Sequence, residues 1–282
     1  MVGRRGVATA AALAANLAAW CGGSGAMAQE QAPPCGGAMI AQGTVGHVID
    51  ANTFTLDDGR EVRLAAIEVP PLAAGAAPGG AAAKAALDAL IGDDAVVLRG
   101  SDVAADRYGR LVAYVSAVRD GEEVFAQGEM LAAGFARVAD RVGSRACAAE
   151  LLRSEDAARR AKLGLWADPY YEVLAAVAPT DVLARRGRFA LVEGQVVSVR
   201  ESGATLYVNF GRHWSEDFSV TVQKRNERNF AAAGLDVKAL AGRLVRVRGV
   251  IEQRGERGSP SIEAQRPEQI ETAGLEKQVT PR

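Results

Sequence analysis

The sequence predicts a mainly β protein with α helices, arranged as two β-rich units. Three observations predict it. Short stretches that alternate apolar and polar residues recur along the chain, separated by Asp, Asn and Gly turns, the pattern of half-buried strands. Helical periodicity interrupts them before residue 170, and beyond Pro169 the strand pattern resumes. With 282 residues, 49% of them hydrophobic, the chain can bury real cores and is long enough for about two domains.

The first 28 residues stand apart. Arg4-Arg5, an uncharged Ala/Leu-rich run to Trp20 and then Ala26-Met27-Ala28 have the order of a signal peptide with an A-x-A cleavage site. The apolar run is short for a membrane span. The expected mature chain therefore starts at Gln29, with no stable membrane anchor, in the periplasm or outside the cell. Removal of Cys21 leaves Cys35 and Cys147 in an oxidising compartment, where they either pair or remain two free thiols. No Cys-x-x-Cys or Cys/His spacing suggests zinc.

After the segment 29–38, Gly43–Asp50, Thr53–Leu56 and Glu61–Val69 read as three strands. Gly79–Ile91, Ala-rich and opened by Gly-Gly, reads as a helix. Ala95–Gly100 and Leu111–Arg119 complete a set of five strands. Glu123–Ala133 and Ala146–Leu163 read as two further helices, the second charged on one face with Leu151, Leu152 and Leu163 for the other. The first domain is thus expected over 39–170 and a linker over 171–184. Strands follow at Phe189–Arg200, Thr205–Phe210, Phe218–Gln223, Leu244–Glu252 and Ile262–Ala264, with a helix between Asn226 and Leu240. This second domain is expected over 185–272 and a tail over 273–282.

The formal net charge of −1 excludes a polycation held to nucleic acid by charge alone. The charge is divided unevenly: residues 29–170 carry 14 basic against 20 acidic side chains, and residues 171–282 carry 17 against 14.

Four separated pieces suggest a family: Val48-Ile49-Asp50-Ala51-Asn52-Thr53, Val62-Arg63-Leu64-Ala65-Ala66-Ile67-Glu68-Val69-Pro70, Asp106-Arg107-Tyr108-Gly109-Arg110 and Leu163-Gly164-Leu165-Trp166. Together, over residues 40–168, they resemble the thermonuclease (staphylococcal-nuclease-like) family. The resemblance implies a five-stranded Greek-key barrel with three helices and, in active members, a Ca²⁺-dependent phosphodiesterase acting on DNA and RNA. Phosphodiester hydrolysis needs fixed cations because negative charge grows in the transition state. By the resemblance Arg63 and Arg110 are the phosphate-binding arginines, and Arg107 and Tyr108 lie near the nucleotide's terminal phosphate. Asn52, Glu68 and the backbone carbonyl of Val69 are the Ca²⁺ candidates, with Asn and Glu where the family usually has Asp.

The chain departs from the pattern most at Pro71, where the family has its catalytic glutamate. Residues 72–83 contain no Asp or Glu to replace it. Asp140 stands where active members place a tyrosine against the base. These departures point to a degenerate phosphodiesterase site on a protein that binds nucleic acid or an envelope protein, with a weakly active Ca²⁺-dependent nuclease as the alternative. His47 and His213 read as structural, and Trp166 reads as a core plug.

The second domain resembles an oligonucleotide/oligosaccharide-binding-type barrel, a looser match. Tyr207, Phe210 and Trp214, with Arg212, Lys224, Arg225 and Arg228, form its candidate face for single-stranded nucleic acid, stacking rings beside cations. The competing reading has the rings in the barrel core.

Overall fold

In the computed structural model, residues 35–272 are described except for 74, 76 and 255–257. The signal segment and the tail expected over 273–282 lie outside the described residues. Strands β1 (Met39–Asp50), β2 (Thr53–Leu56) and β3 (Glu61–Leu64) form an antiparallel meander. A two-residue strand, β4 (Ile67–Glu68), leads to helix α1 (Gly80–Ile91) and then to the antiparallel pair β5 (Ala95–Ala105) and β6 (Leu111–Arg119). Because β6 also runs parallel to β3, and β5 pairs with β1, five strands close into a ring. Phe54, Leu64, Leu98 and Val115 fill it, and α1 covers it with Ala83, Leu87 and Ile91, one buried residue per turn. Full burial of each Leu or Ile stabilises by about 1.5–3 kcal/mol.

Two expected elements differ here. The stretch read as a single strand over Glu61–Val69 breaks at Ala66, which takes a left-handed φ of 64°; its carbonyl accepts a hydrogen bond from Ala139 N. The helix expected to begin at Glu123 begins instead at Ala126. Glu122–Phe125 is strand β7, joined to β6 by Asp120-Gly121. Both turn residues have positive φ, as a two-residue hairpin turn matched to strand twist requires. Helix α2 (Ala126–Ala132) follows, then β8 (Arg137–Val138), which pairs with β4 so that Arg137 faces Glu68.

Helix α3 (Arg145–Arg160) is capped by Ser144, whose hydroxyl accepts from Cys147 N at 3.1 Å. Leu151 is buried and Leu152 half-buried, whereas Leu163 lies beyond the helix and is exposed. Cys147 is bonded to Cys35 by a disulfide. A 3-10 turn, Gly164–Ala167, seats Trp166, which is buried. Gly164 has a φ of 51°, and a Cβ there would lie 2.5 Å from Gly134 O. Only a glycine permits this approach.

The stretch expected as a linker is built into the fold. Tyr171, Leu174, Ala176 and Val182 are buried, and β9 (Leu174–Ala175) precedes α4 (Pro179–Leu183). The strand expected over Phe189–Arg200 is two: β10 (Phe189–Gln195), parallel to β9, and β11 (Ser198–Ser202). There follow β12 (Thr205–Asn209), β13 (Ser219–Gln223) and a short helix α5 (Glu227–Ala232), with 3-10 turns on either side in place of a single helix to Leu240. The chain continues through β14 (Leu244–Val250), β15 (Glu252–Arg254), β16 (Ser259–Glu263) and β17 (Ile270–Glu271). These strands form two sheets, ordered β17-β14-β10-β9 and β11-β12-β13-β16-β15, over one shared core that includes Phe210, Phe218 and Phe230.

The first ring and this second β unit are joined by a small core of Ala158, Leu165, Trp166, Tyr171 and Leu191. Beside it, Arg248 of β14, 1% exposed, reaches Glu155 of α3, also 1% exposed. No helix among the described residues is long and apolar enough to cross a membrane.

Candidate functional site

The turn from β1 into β2 and the strand β3 bring several expected residues together. Asp50 Oδ1 accepts from Asn52 N at 2.9 Å, and the Asn52 carbonyl accepts from Leu64 N at 2.8 Å. These bonds fix Asn52 at the end of the ring, where it is buried. Thr53 is the register partner of Arg63, so their side chains share a face. Arg110 Nη1 lies 3.5 Å from Thr53 Oγ1. Arg63 on β3 thus stands opposite Thr53, and Arg110 reaches the same threonine from the loop before β6.

The Asp106–Arg110 loop is held by its own acid. Asp106 Oδ1 accepts from Tyr108 N and Arg110 N at 2.9 and 3.2 Å, while Oδ2 takes Arg110 Nε and Nη2 at 2.8 and 2.7 Å. Its slight burial would raise the pKa, but these bonds outweigh that and hold the carboxyl below its usual range. Arg107 Nη2 donates to the Tyr108 hydroxyl at 2.6 Å, and the guanidinium centres of Arg107 and Arg110 lie 4.7 and 5.2 Å from the Tyr108 ring. That ring is 66% exposed. The loop therefore presents Arg107 and an aromatic face to solvent, with Arg110 half-buried against Asp106.

Glu68 is half-buried on β4, and burial pushes its pKa up against the opposing fields of Arg137 and Arg63; the nearby Asp140 raises it further. Arg137, which the sequence reading passed over, is buried. Its Nη1 donates to Phe189 O at 3.1 Å, and its guanidinium centre lies 5.1 Å from the Tyr171 ring and 4.9 Å from that of Phe189. Burial pulls it below the usual arginine range, although Glu68 opposes this. The only signal in the sequence was an arginine in the apolar run Phe135-Ala136-Arg137-Val138, where a buried cation needs a carboxylate and ring faces.

Residues 61–168 match a family model described as Staphylococcal nuclease homologue. The match supports the thermonuclease-like domain, and with the barrel-like ring of strands it accounts for the nuclease fold. No curated protein matches the chain.

The nuclease-like domain implies Ca²⁺ beside the arginines, and its donors are testable by their chemistry. Asn52 Oδ1 already accepts from Thr53 Oγ1 at 3.1 Å. The Glu68 carboxyl is disfavoured as an anion and lies in the fields of two guanidinium groups. Among the described residues no group of three or more His, Cys, Asp or Glu could hold a metal ion. Ca²⁺ takes six to eight oxygens, several of them anionic. The set does not fit the ion.

Pro71 is exposed, and Asp140 is exposed. The face expected on the second unit is only partly present. Phe210 is buried against Phe218, with ring centroids 5.1 Å apart, because it faces the shared core. Lys224 is paired with Glu201 at 2.5 Å. Trp214 is 69% exposed, and Tyr207 is half-buried with the Arg254 guanidinium centre 5.0 Å from its ring centroid. His47 Nδ1 meets Thr55 Oγ1 at 2.8 Å, and His213 donates its backbone N–H to Asp217 Oδ2 at 2.7 Å with its Nδ1 3.8 Å from the same oxygen.

Proposed function

We propose that this is an exported protein that binds nucleic acid through a nuclease fold without hydrolysing it. The observation that carries the reading is Pro71, an exposed residue where the family has its catalytic glutamate, with no Asp or Glu through residue 83. Losing a positioned general base typically costs about 10²–10⁴ in rate. Glu68 stands three residues earlier, at a position that the resemblance gives to a metal ligand rather than to the base. The phosphate-recognition half remains: Arg63 is the register partner of Thr53, Arg110 reaches that threonine, and Tyr108 beside Arg110 is exposed. Export is supported by the Arg4–Ala28 pattern and by the Cys35–Cys147 disulfide, a bond at home in oxidising compartments.

The test is cleavage and binding of single-stranded DNA by the mature protein with added Ca²⁺. The expected result is binding with no cleavage above that of an Arg63→Ala/Arg110→Ala variant. Restoring the family residues with Pro71→Glu/Asn52→Asp is expected to raise cleavage. Wild-type turnover at the level of an active thermonuclease would refute the reading.

A further inference from the structure

A cleft of about 930 Å³ lies between α3, along its length, with the loop before it on one side and the second β unit on the other. Among the described residues seven arginines line it against three carboxylates. The carboxylates are committed within the protein. Asp156 pairs with Arg159 and Arg160, Glu268 accepts from Val142 N at 3.2 Å, and Glu271 accepts from Arg248 at 2.5 Å. The arginines are less so. Arg141, Arg145 and Arg225 are exposed and make no ion pair among the described residues, and Arg153 bonds only the Ala149 carbonyl of its own helix. Arg246, 5% exposed, is paired with Glu193 but its buried Nε has no hydrogen-bond partner among the described residues.

We infer that this cleft is a binding site for the phosphodiester backbone of a single strand, separate from the Arg63–Arg110 site; the inference rests on the proposed nucleic-acid binding. Uncompensated guanidinium groups on facing walls match a chain of singly charged phosphates, which they engage in forks. Asn226, Asn229 and Gln265 supply amides that hydrogen-bond bases or sugars. Among the described residues no aromatic side chain lines the cleft, so the backbone is held by charge and the bases are not stacked. Engaging the four uncommitted arginines gives a log–log salt slope of about −3 on a single strand.

The experiment is fluorescence anisotropy of labelled oligothymidylate with the mature protein across salt, with polyglutamate as competitor. Arg145→Glu/Arg225→Glu, two exposed positions on opposite walls, is expected to weaken binding at least tenfold and to flatten the slope by about 1.4. Arg141→Ala, a milder change, is expected to flatten it by about 0.7 with an unchanged melting temperature. If the charge-reversed protein binds as wild type does while Arg63→Ala/Arg110→Ala loses binding, the cleft is not the site and the proposed function stands. If wild type binds polyglutamate and not the oligonucleotide, the cleft is a groove for acidic peptides and the inference is wrong. No binding of either overturns the inference and the proposed function together.

Discussion

Replacing Arg248 by Met tests whether the two β units are held together by one buried cation. Arg248 Nη1 donates to Val138 O and Glu155 Oε2, both at 2.9 Å, and Nη2 donates to Glu155 Oε1 at 3.0 Å and Glu271 Oε1 at 2.5 Å. Burial alone would lower its pKa, but Glu155 and Glu271 more than offset this and hold the guanidinium charged. Methionine fills much of the same volume, so the cavity contribution is small. What remains is the Glu155 carboxylate, 1% exposed, with only Val138 N donating to it at 2.5 Å. Stranding one partner of a buried pair costs about 3–5 kcal/mol. At about 2–4 °C per kcal/mol for a body of this size, the melting temperature falls by about 6–20 °C. Calorimetry and urea denaturation measure it. Arg248→Met/Glu155→Gln keeps an acceptor for Val138 N and removes the orphan charge, so it is expected to recover most of the loss. A single variant that loses less than about 1 kcal/mol, or a double variant no more stable than the single, would refute the argument.

Other expectations follow from particular contacts. Cys35→Ser/Cys147→Ser opens a loop of 112 residues and is expected to lower stability by about 4–5 kcal/mol through denatured-state entropy; equal urea midpoints for the variant and wild type would contradict it. Glu68, raised by burial, binds its proton more tightly folded than unfolded. Its contribution is therefore most favourable at acid pH and is lost as pH rises from the ordinary glutamate range through the folded pKa. Glu68→Gln should gain on wild type between pH 4 and pH 7, and a constant difference in urea midpoint across that range would exclude the effect. Gly164→Ala brings a Cβ within 2.5 Å of Gly134 O at a positive φ, and thermal melts should show a loss of about 1–3 kcal/mol.

By itself the sequence determined the first domain's plan. Alternation over Gly43–Asp50 and Thr53–Leu56 marked strands that pair as β1 and β2 of the ring. Four local motifs singled out Arg63 and Arg110 as phosphate-binding candidates by resemblance, and Pro71 as the departure on which the proposed loss of catalysis rests. The Asp120-Gly121 turn was legible too, but helical periodicity after Glu123 masked it. What only tertiary structure decided depends on contacts between residues far apart in the chain. Arg137 reads as an ordinary surface cation until β8 sets it opposite Glu68 and Phe189 from the second unit closes over it. Phe210 alternates as readily toward solvent as toward a core, and only the closure of two sheets buried it. The arginines of α3 and of the second unit are separate surface charges along the chain. They become one cleft because Arg248 and Glu155 fix α3 against β14, and an electrostatic site is set by distances in space that no local pattern records.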